Sequence, residues 1–255
     1  MRRADVTDDA VLGGRLRLKQ PRRGHRVGHD AILLAAACPA HTGERAVDLG
    51  SGVGAAGLAL ATRVDGIEVT LVEVDAELAA LAEENARRND LGSRVRAVVL
   101  DVAAPARAFA AAGVGPDSVE RILMNPPFND PQRQRSSPDS RRRFAHEGPR
   151  GTLAAWTRTA ARCLRPRGTL SLIWRAEGLV EALKALDPAF GAVTVLPVHG
   201  KAGEPAIRVL MRAAKASRAP LMLLPGLVLS DASGRPTPEA EAVLRGGAAL
   251  ALAQC

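Results

Sequence analysis

The chain has 255 residues, 47% of them hydrophobic and 24% charged, which suits one large globular domain, or one with small additions. No run approaches the roughly 20 apolar residues that a membrane helix needs, and Cys38, Cys163 and Cys255 lie too far apart for a disulfide framework or a zinc site. The net charge of +8 is the footprint of a nucleic-acid partner, although an Arg- and Ala-rich composition is equally what a GC-rich genome produces.

Residues 1–28 are polar and basic, densest in RLRLKQPRRGHR (15–26). HDAILLAAACPA (29–40) predicts a short helix from near Asp30 to Pro39. Its apolar run has the look of a signal segment but follows a polar, Asp-containing stretch, so it is expected to belong to the fold, in a cytoplasmic protein. ERAVDLG (44–50) predicts a strand running into glycines, and AAGLALATR (55–63) the helix after it. IEVTLVEVD (67–75) alternates and is β-branched, which predicts a strand; 76–90 predicts a long helix. Strands are expected at 94–102 and 119–125, a helix at 152–166, a strand at 168–175 and a helix at 178–186. The runs 192–198 and 206–213 predict two strands with only a Gly- and Pro-bearing turn between them. Such alternation implies βαβ units. The expected fold is α/β: a Rossmann-like, doubly wound, seven-stranded, mostly parallel sheet with one antiparallel strand. The expected organisation is a basic N-terminal segment and helix packing on a cofactor site (1–43), a catalytic domain (44–215) and an extension of it (216–255) whose elements the pattern does not place.

VDLGSGVGAAG (47–57) is a strand, a glycine turn and a helix start. Glycines let the backbone approach a ligand closely, and the helix N-terminus offers free N–H groups, so a nucleotide-like cofactor is expected at Gly50, Gly52 and Gly54. Gly52, Gly54 and Gly57 formally match the dinucleotide fingerprint. Asp48 argues against it, because a carboxylate repels a pyrophosphate and favours a cation. S-adenosylmethionine carries a sulfonium and an ammonium and no phosphate. Glu73, near the end of the second predicted strand, can accept both ribose hydroxyls. Asp101, ending the third, can accept the adenine amino group. Three acids ending successive strands beside a glycine turn favour a cofactor over solvated strand ends.

In RILMNPPFND (121–130) a strand-like run stops at Asn125, because neither Pro126 nor Pro127 can donate to a ladder. A side-chain amide, a free backbone carbonyl and the Phe128 ring are left at one strand end. The next stretch, 128–150, is long, polar and basic; a loop of that length is functional or disordered.

Asp48-Leu-Gly-Ser-Gly-Val-Gly54, Glu73, Asp101 and Asn125-Pro-Pro-Phe128 together resemble a class I S-adenosylmethionine-dependent methyltransferase of the amino-methylating type, over roughly residues 25–215. Gly28-His-Asp30-Ala-Ile-Leu-Leu34 and the preceding LGGRLRLKQPRRGHR resemble the bacterial family that contains the valine-tRNA adenine-N6 methyltransferase. That resemblance implies that the segment around Asp30 lines the methionine end of the cofactor. Where the family often has Tyr, this chain has Phe128, which keeps the stacking face.

Such a turn suits an amine whose lone pair is delocalised into a ring. The Asn125 side-chain oxygen and the Pro126 carbonyl accept its two N–H bonds, pull the nitrogen toward sp³ geometry and aim its lone pair. With no Tyr in the chain, a tyrosine base is excluded. A stacked base cannot reach the turn, so the substrate is flipped or unpaired. Arg133, Arg135, Arg141, Arg142 and Arg143, with Arg22, Arg23 and Arg26 from the N-terminal side, are expected to contact RNA phosphates, and no metal is expected. The leading expectation is adenine-N6 methylation in a tRNA anticodon loop. Glutamine-N5 and ribosomal guanine-N2 methylation use the same turn, and an RNA-binding protein without catalysis or an NAD enzyme are the other readings.

Overall fold

The computed structural model describes residues 6–23, 26–127, 149–187 and 189–254. The basic start of the chain forms elements that its composition conceals. Val6–Val11 (β1) and Leu16–Pro21 (β2) make an antiparallel hairpin, in register from Val6↔Pro21 to Val11↔Leu16. Leu16, Leu18 and Gln20 alternate inward and are buried.

Thereafter strands and helices alternate as the sequence predicts. Helix α1 (His29–Ala37) is buried throughout Ala31–Ala37, and so reads as apolar on every face. It ends where Cys38 turns extended ahead of Pro39. Next come β3 (Arg45–Leu49), α2 (Ala55–Arg63), β4 (Glu68–Glu73), α3 (Ala76–Arg88) and β5 (Val95–Val99). Asp75 caps α3: its Oδ1 accepts from the Glu77 and Leu78 amides at 2.9 and 3.3 Å. A short helix that the sequence pattern does not announce, α4 (Ala106–Ala111), precedes β6 (Val119–Met124). Helix α5 (Pro149–Cys163) passes directly into β7 (Leu164–Arg175), followed by α6 (Leu179–Leu186). β8 (Phe190–Lys201) and β9 (Ala206–Lys215) form a longer hairpin than predicted.

The unplaced segment contributes β10 (Met222–Leu223), β11 (Leu227–Ser230) and α7 (Pro238–Leu244). Both strands run parallel to β8, from Met222↔Thr194 and from Leu227↔Val198. They are one edge strand broken at Pro225 and Gly226, where proline has no N–H to give a ladder.

The main sheet has nine strands, in the order β10-β8-β9-β7-β6-β3-β4-β5 with β11 also on β8. Seven of them have the predicted layout, with β9 antiparallel to both neighbours. One face carries α1, α2, α3, the hairpin and α7, around a core that includes Leu16, Leu33, Leu58, Leu71 and Val243. The other carries α4, α5 and α6, around Leu49, Phe109, Ile122 and Leu172. The strand order reverses between β3 and β6, so the crevice for a ligand lies beyond their carboxyl ends. Among the described residues no helix is long and apolar enough to cross a membrane.

Candidate active site

Strand β3 ends at Leu49, and the turn begins at Gly50, as its register predicts. Gly50, Gly52 and Gly54 all take positive φ, at 68, 56 and 87°. Gly50 is doubly constrained, because a Cβ there would also lie 2.2 Å from Cη2 of Trp156 on α5. Over Gly52 the space is open: a Cβ would meet nothing within 4 Å. The third glycine of the fingerprint, Gly57, serves packing instead; a Cβ on it would lie 2.3 Å from Cδ2 of Leu71 in β4.

Two carboxylates shape this turn. Asp48 is buried, and its Oδ2 accepts the Gly57 N–H at 2.9 Å in the first turn of α2. Burial pushes its pKa up to about 7, against the pull of that N–H and with a further push from the charge of Glu73. Glu73, also buried, accepts the Gly52 N–H at 2.8 Å on Oε2 and the Asp75 N–H at 2.9 Å on Oε1. It thereby ties the end of β4 to the turn after β3. Val74, next to it, exposes 63% of its surface at the same edge.

The ladder registers place the remaining groups. Leu49 pairs with Val72 on one side and Met124 on the other, so Gly50 stands between Glu73 and Asn125. Adjacent strands lie about 4.8 Å apart. The Asn125 Oδ1 is buried and has no hydrogen-bond partner among the described residues, and so is the Ser51 Oγ. Two unpaired polar atoms therefore flank Gly50, one on the residue after it and one just past the end of β6. An orphaned acceptor is costly unless a ligand completes it. Pro126 is buried and Pro127 exposed.

Asp101 lies two residues beyond the end of β5, exposed, with its Oδ1 accepting the Ala103 N–H at 2.7 Å. Asp30, in the first turn of α1, accepts Nε of Arg208 at 3.0 Å. Arg208 faces Arg175, the last residue of β7, so Asp30 belongs to the same carboxyl edge, on the far side of Asn125. Arg22 and Arg23 are exposed just past β2. Arg26 is drawn back to the hairpin, with its Nη2 2.8 Å from Oδ2 of Asp9. Phe128, Arg133, Arg135, Arg141, Arg142 and Arg143 lie outside the described residues.

The structure thus collects Asp30, Asp48, the three glycines, Glu73, Asp101 and Asn125 at one edge of the sheet. It adds Trp156 and Val74, which sequence patterning did not single out for this place. Val74 was visible only as one apolar position of an alternating strand. Trp156 lies far along the chain, on the other face of the sheet. Among the described residues no group of His, Cys, Asp and Glu is placed to hold a metal ion.

A ligand that is flat at one end and cationic at the other fits an edge with open glycine backbone, a concentration of carboxylates and an exposed apolar side chain. A Rossmann-like enzyme served by such a cofactor is an S-adenosylmethionine-dependent methyltransferase. Residues 25–201 match the family model described as the methyltransferase small domain, and the chain belongs to that family. It is 31% identical over 175 residues, 68% of this chain and 69% of the other, to a tRNA1(Val) (adenine(37)-N6)-methyltransferase of Tolumonas auensis. A protein of the same name from Bacteroides fragilis is 30% identical over 151 residues, 58% of this chain and 59% of that one. A crystal structure of a predicted O-methyltransferase from Agrobacterium tumefaciens superposes with a TM-score of 0.73 at 32% identity, covering 87% of this chain and 98% of that one.

Proposed function

We propose that this methyltransferase acts on the exocyclic N6 of an adenine in RNA, in a tRNA anticodon loop. The observation that carries the reading is the Asn125 Oδ1, buried and unpaired at the strand end beside Gly50. A hydroxyl substrate, as in the name of the Agrobacterium relative, has one proton to place. An aromatic amine has two, and this turn offers two acceptors, the Asn125 Oδ1 and the Pro126 carbonyl. The tRNA adenine-N6 methyltransferases among the relatives support the same choice.

Bound here, S-adenosylmethionine supplies an electrophilic methyl group on a cationic sulfur. Gly50 makes the tight turn, Gly52 admits the cofactor by close backbone approach, Glu73 takes the ribose hydroxyls, and Asp101 takes the adenine amino group. Asp48 and Asp30 offer negative charge to its cationic end, and Val74 covers its base. Asn125 and Pro126 orient the substrate amine and free its lone pair, while Phe128 stacks on the base, worth about 1–3 kcal/mol. Positioning and electrostatics of this kind suffice for an in-line displacement. Arg22, Arg23 and the arginines of 133–143 hold phosphates, with Arg26 partly countered by Asp9. In this reading 44–215 is the catalytic unit, 1–43 packs on its cofactor side and 216–255 extends it.

The test is methyl transfer from labelled S-adenosylmethionine to unmodified total tRNA, ribosomal RNA and a release-factor protein in parallel, then nucleoside mass spectrometry. N6-methyladenosine in tRNA is the expected product. Label confined to protein or to ribosomal RNA overturns the substrate.

A further inference from the structure

The hairpin β1–β2 is held to the rest of the molecule in an unusual way. The outer edge of β2 is paired not with a strand but with two side chains, Asn85 of α3 and Asn89 at its C-cap. Asn85 accepts the Lys19 N–H at 2.8 Å on Oδ1 and donates from Nδ2 to the Lys19 carbonyl at 3.0 Å. Asn89 repeats the pattern on Arg17, accepting at 2.9 Å and donating at 2.8 Å. A primary amide presents a donor and an acceptor side by side, as a strand residue does. The spacings match: four helical residues rise about 6 Å and two strand residues about 6.7 Å. Asparagines at i and i+4 can therefore stand in for a ladder.

The two are not equivalent. Asn89, at the C-cap, also donates to the Asn85 carbonyl in the last turn of α3. Asn85 is fully buried, and its Nδ2 donates a further bond at 3.1 Å to the carbonyl of Val53, between Gly52 and Gly54. One side chain thus holds the hairpin with one set of bonds and the glycine turn with another. The turn's other long-range hydrogen bonds come from β4, where Glu73 accepts the Gly52 N–H and the Val72 carbonyl accepts the Ser51 N–H at 2.9 Å.

We propose that Asn85 is a positioning residue for the glycine turn, and that through it the docking of the N-terminal hairpin and the affinity for the cofactor are coupled. The inference rests on the turn being the cofactor's seat. Coupling of this kind is reciprocal: a cofactor that stiffens the turn stabilises the hairpin, and loosening the hairpin lowers cofactor affinity by the same factor. Because β2 leads into Arg22 and Arg23, a substrate held there reaches the cofactor site by this route.

The experiment is amide hydrogen exchange on the full chain with and without S-adenosylhomocysteine, joined to calorimetric affinities for Asn85→Ala and Asn89→Ala. In the unsubstituted protein the ligand is expected to slow exchange at Ser51–Gly54 and also at Arg17 and Lys19. Asn85→Ala is expected to bind about tenfold more weakly, since the Val53 carbonyl and the Lys19 carbonyl and amide lose their partner, and to lose the ligand's effect on Arg17 and Lys19. Asn89→Ala, which loosens the hairpin while leaving the Asn85 bond to the turn in place, is expected to weaken binding too, by less than Asn85→Ala; parent-like affinity beside faster exchange at Arg17 and Lys19 overturns the coupling. Slowing at Ser51–Gly54 with none at Arg17 and Lys19 overturns the coupling. Binding with no slowing at Ser51–Gly54 overturns the cofactor seat and the proposal with it. The exchange measurement needs no variant, so a poorly folded Asn85→Ala protein leaves the proposal open to refutation.

Discussion

Asp48→Asn separates the charge of the buried carboxylate from its shape. Asn keeps an oxygen for the Gly57 N–H and removes the ionisation. Asp48 has an unfolded pKa of 3.8 and a folded pKa of about 7, so folding favours its protonated form. Its stabilising contribution is complete below the unfolded value and is lost as pH rises through about 7. Between pH 5 and 8 the folded state pays for ionisation over about two pH units, at about 1.4 kcal/mol each. The variant is therefore expected to gain about 2–3 kcal/mol of stability relative to the parent between those pH values. Urea denaturation of both proteins at pH 5, 6, 7 and 8 measures it, read as the change in their difference. A difference that stays flat, or that moves toward the parent, refutes the account of Asp48 as a carboxylate whose charge is suppressed by burial. The cationic cofactor draws the proton off, so the parent's affinity for S-adenosylmethionine is expected to rise from pH 6 to 8 while the variant's stays level.

Other substitutions probe the rest of the site. Asn125→Ala should lower the transfer rate about 10²–10³-fold, the range for one lost preorganised polar contact, with S-adenosylhomocysteine affinity within a few fold; a large loss of binding would make Asn125 structural. Gly50→Ala forces a Cβ against the Trp156 ring at a positive φ, so it should lower the thermal midpoint, and adding Trp156→Ala should recover part of the loss. No recovery would locate the whole penalty in the backbone. Replacing Arg141, Arg142 and Arg143 by Ala should weaken RNA binding and flatten its dependence on salt, and an unchanged slope in filter binding would remove these arginines from the RNA contact.

The conformation of each strand end was legible in the sequence because it is local. A glycine that must take positive φ, an acid two residues before it and two prolines that stop a strand each declare their constraint within a few residues. The alternation of strands and helices announced a parallel sheet for the same reason. The hairpin was half visible in the spacing of Leu16 and Leu18, but Arg15, Arg17 and Lys19 around them made the stretch read as a basic segment. The ion pair of Arg26 with Asp9 was not legible, because Asp9 is brought near only when that hairpin forms.

Strand order was not local, and it decides the site. Nothing between Gly50 and Asn125 says that β6 returns to lie against β3, yet that pairing sets the orphaned amide oxygen beside the glycine turn. It also brings Trp156 under Gly50 from across the sheet. Asn85 read as one more polar residue of a helix; only the folded chain shows it filling the outer edge of a strand and holding the turn at once. Short-range sterics and hydrogen bonding specify each piece. Which pieces meet follows from burying two apolar sheet faces together, a condition on the whole chain that no single segment carries.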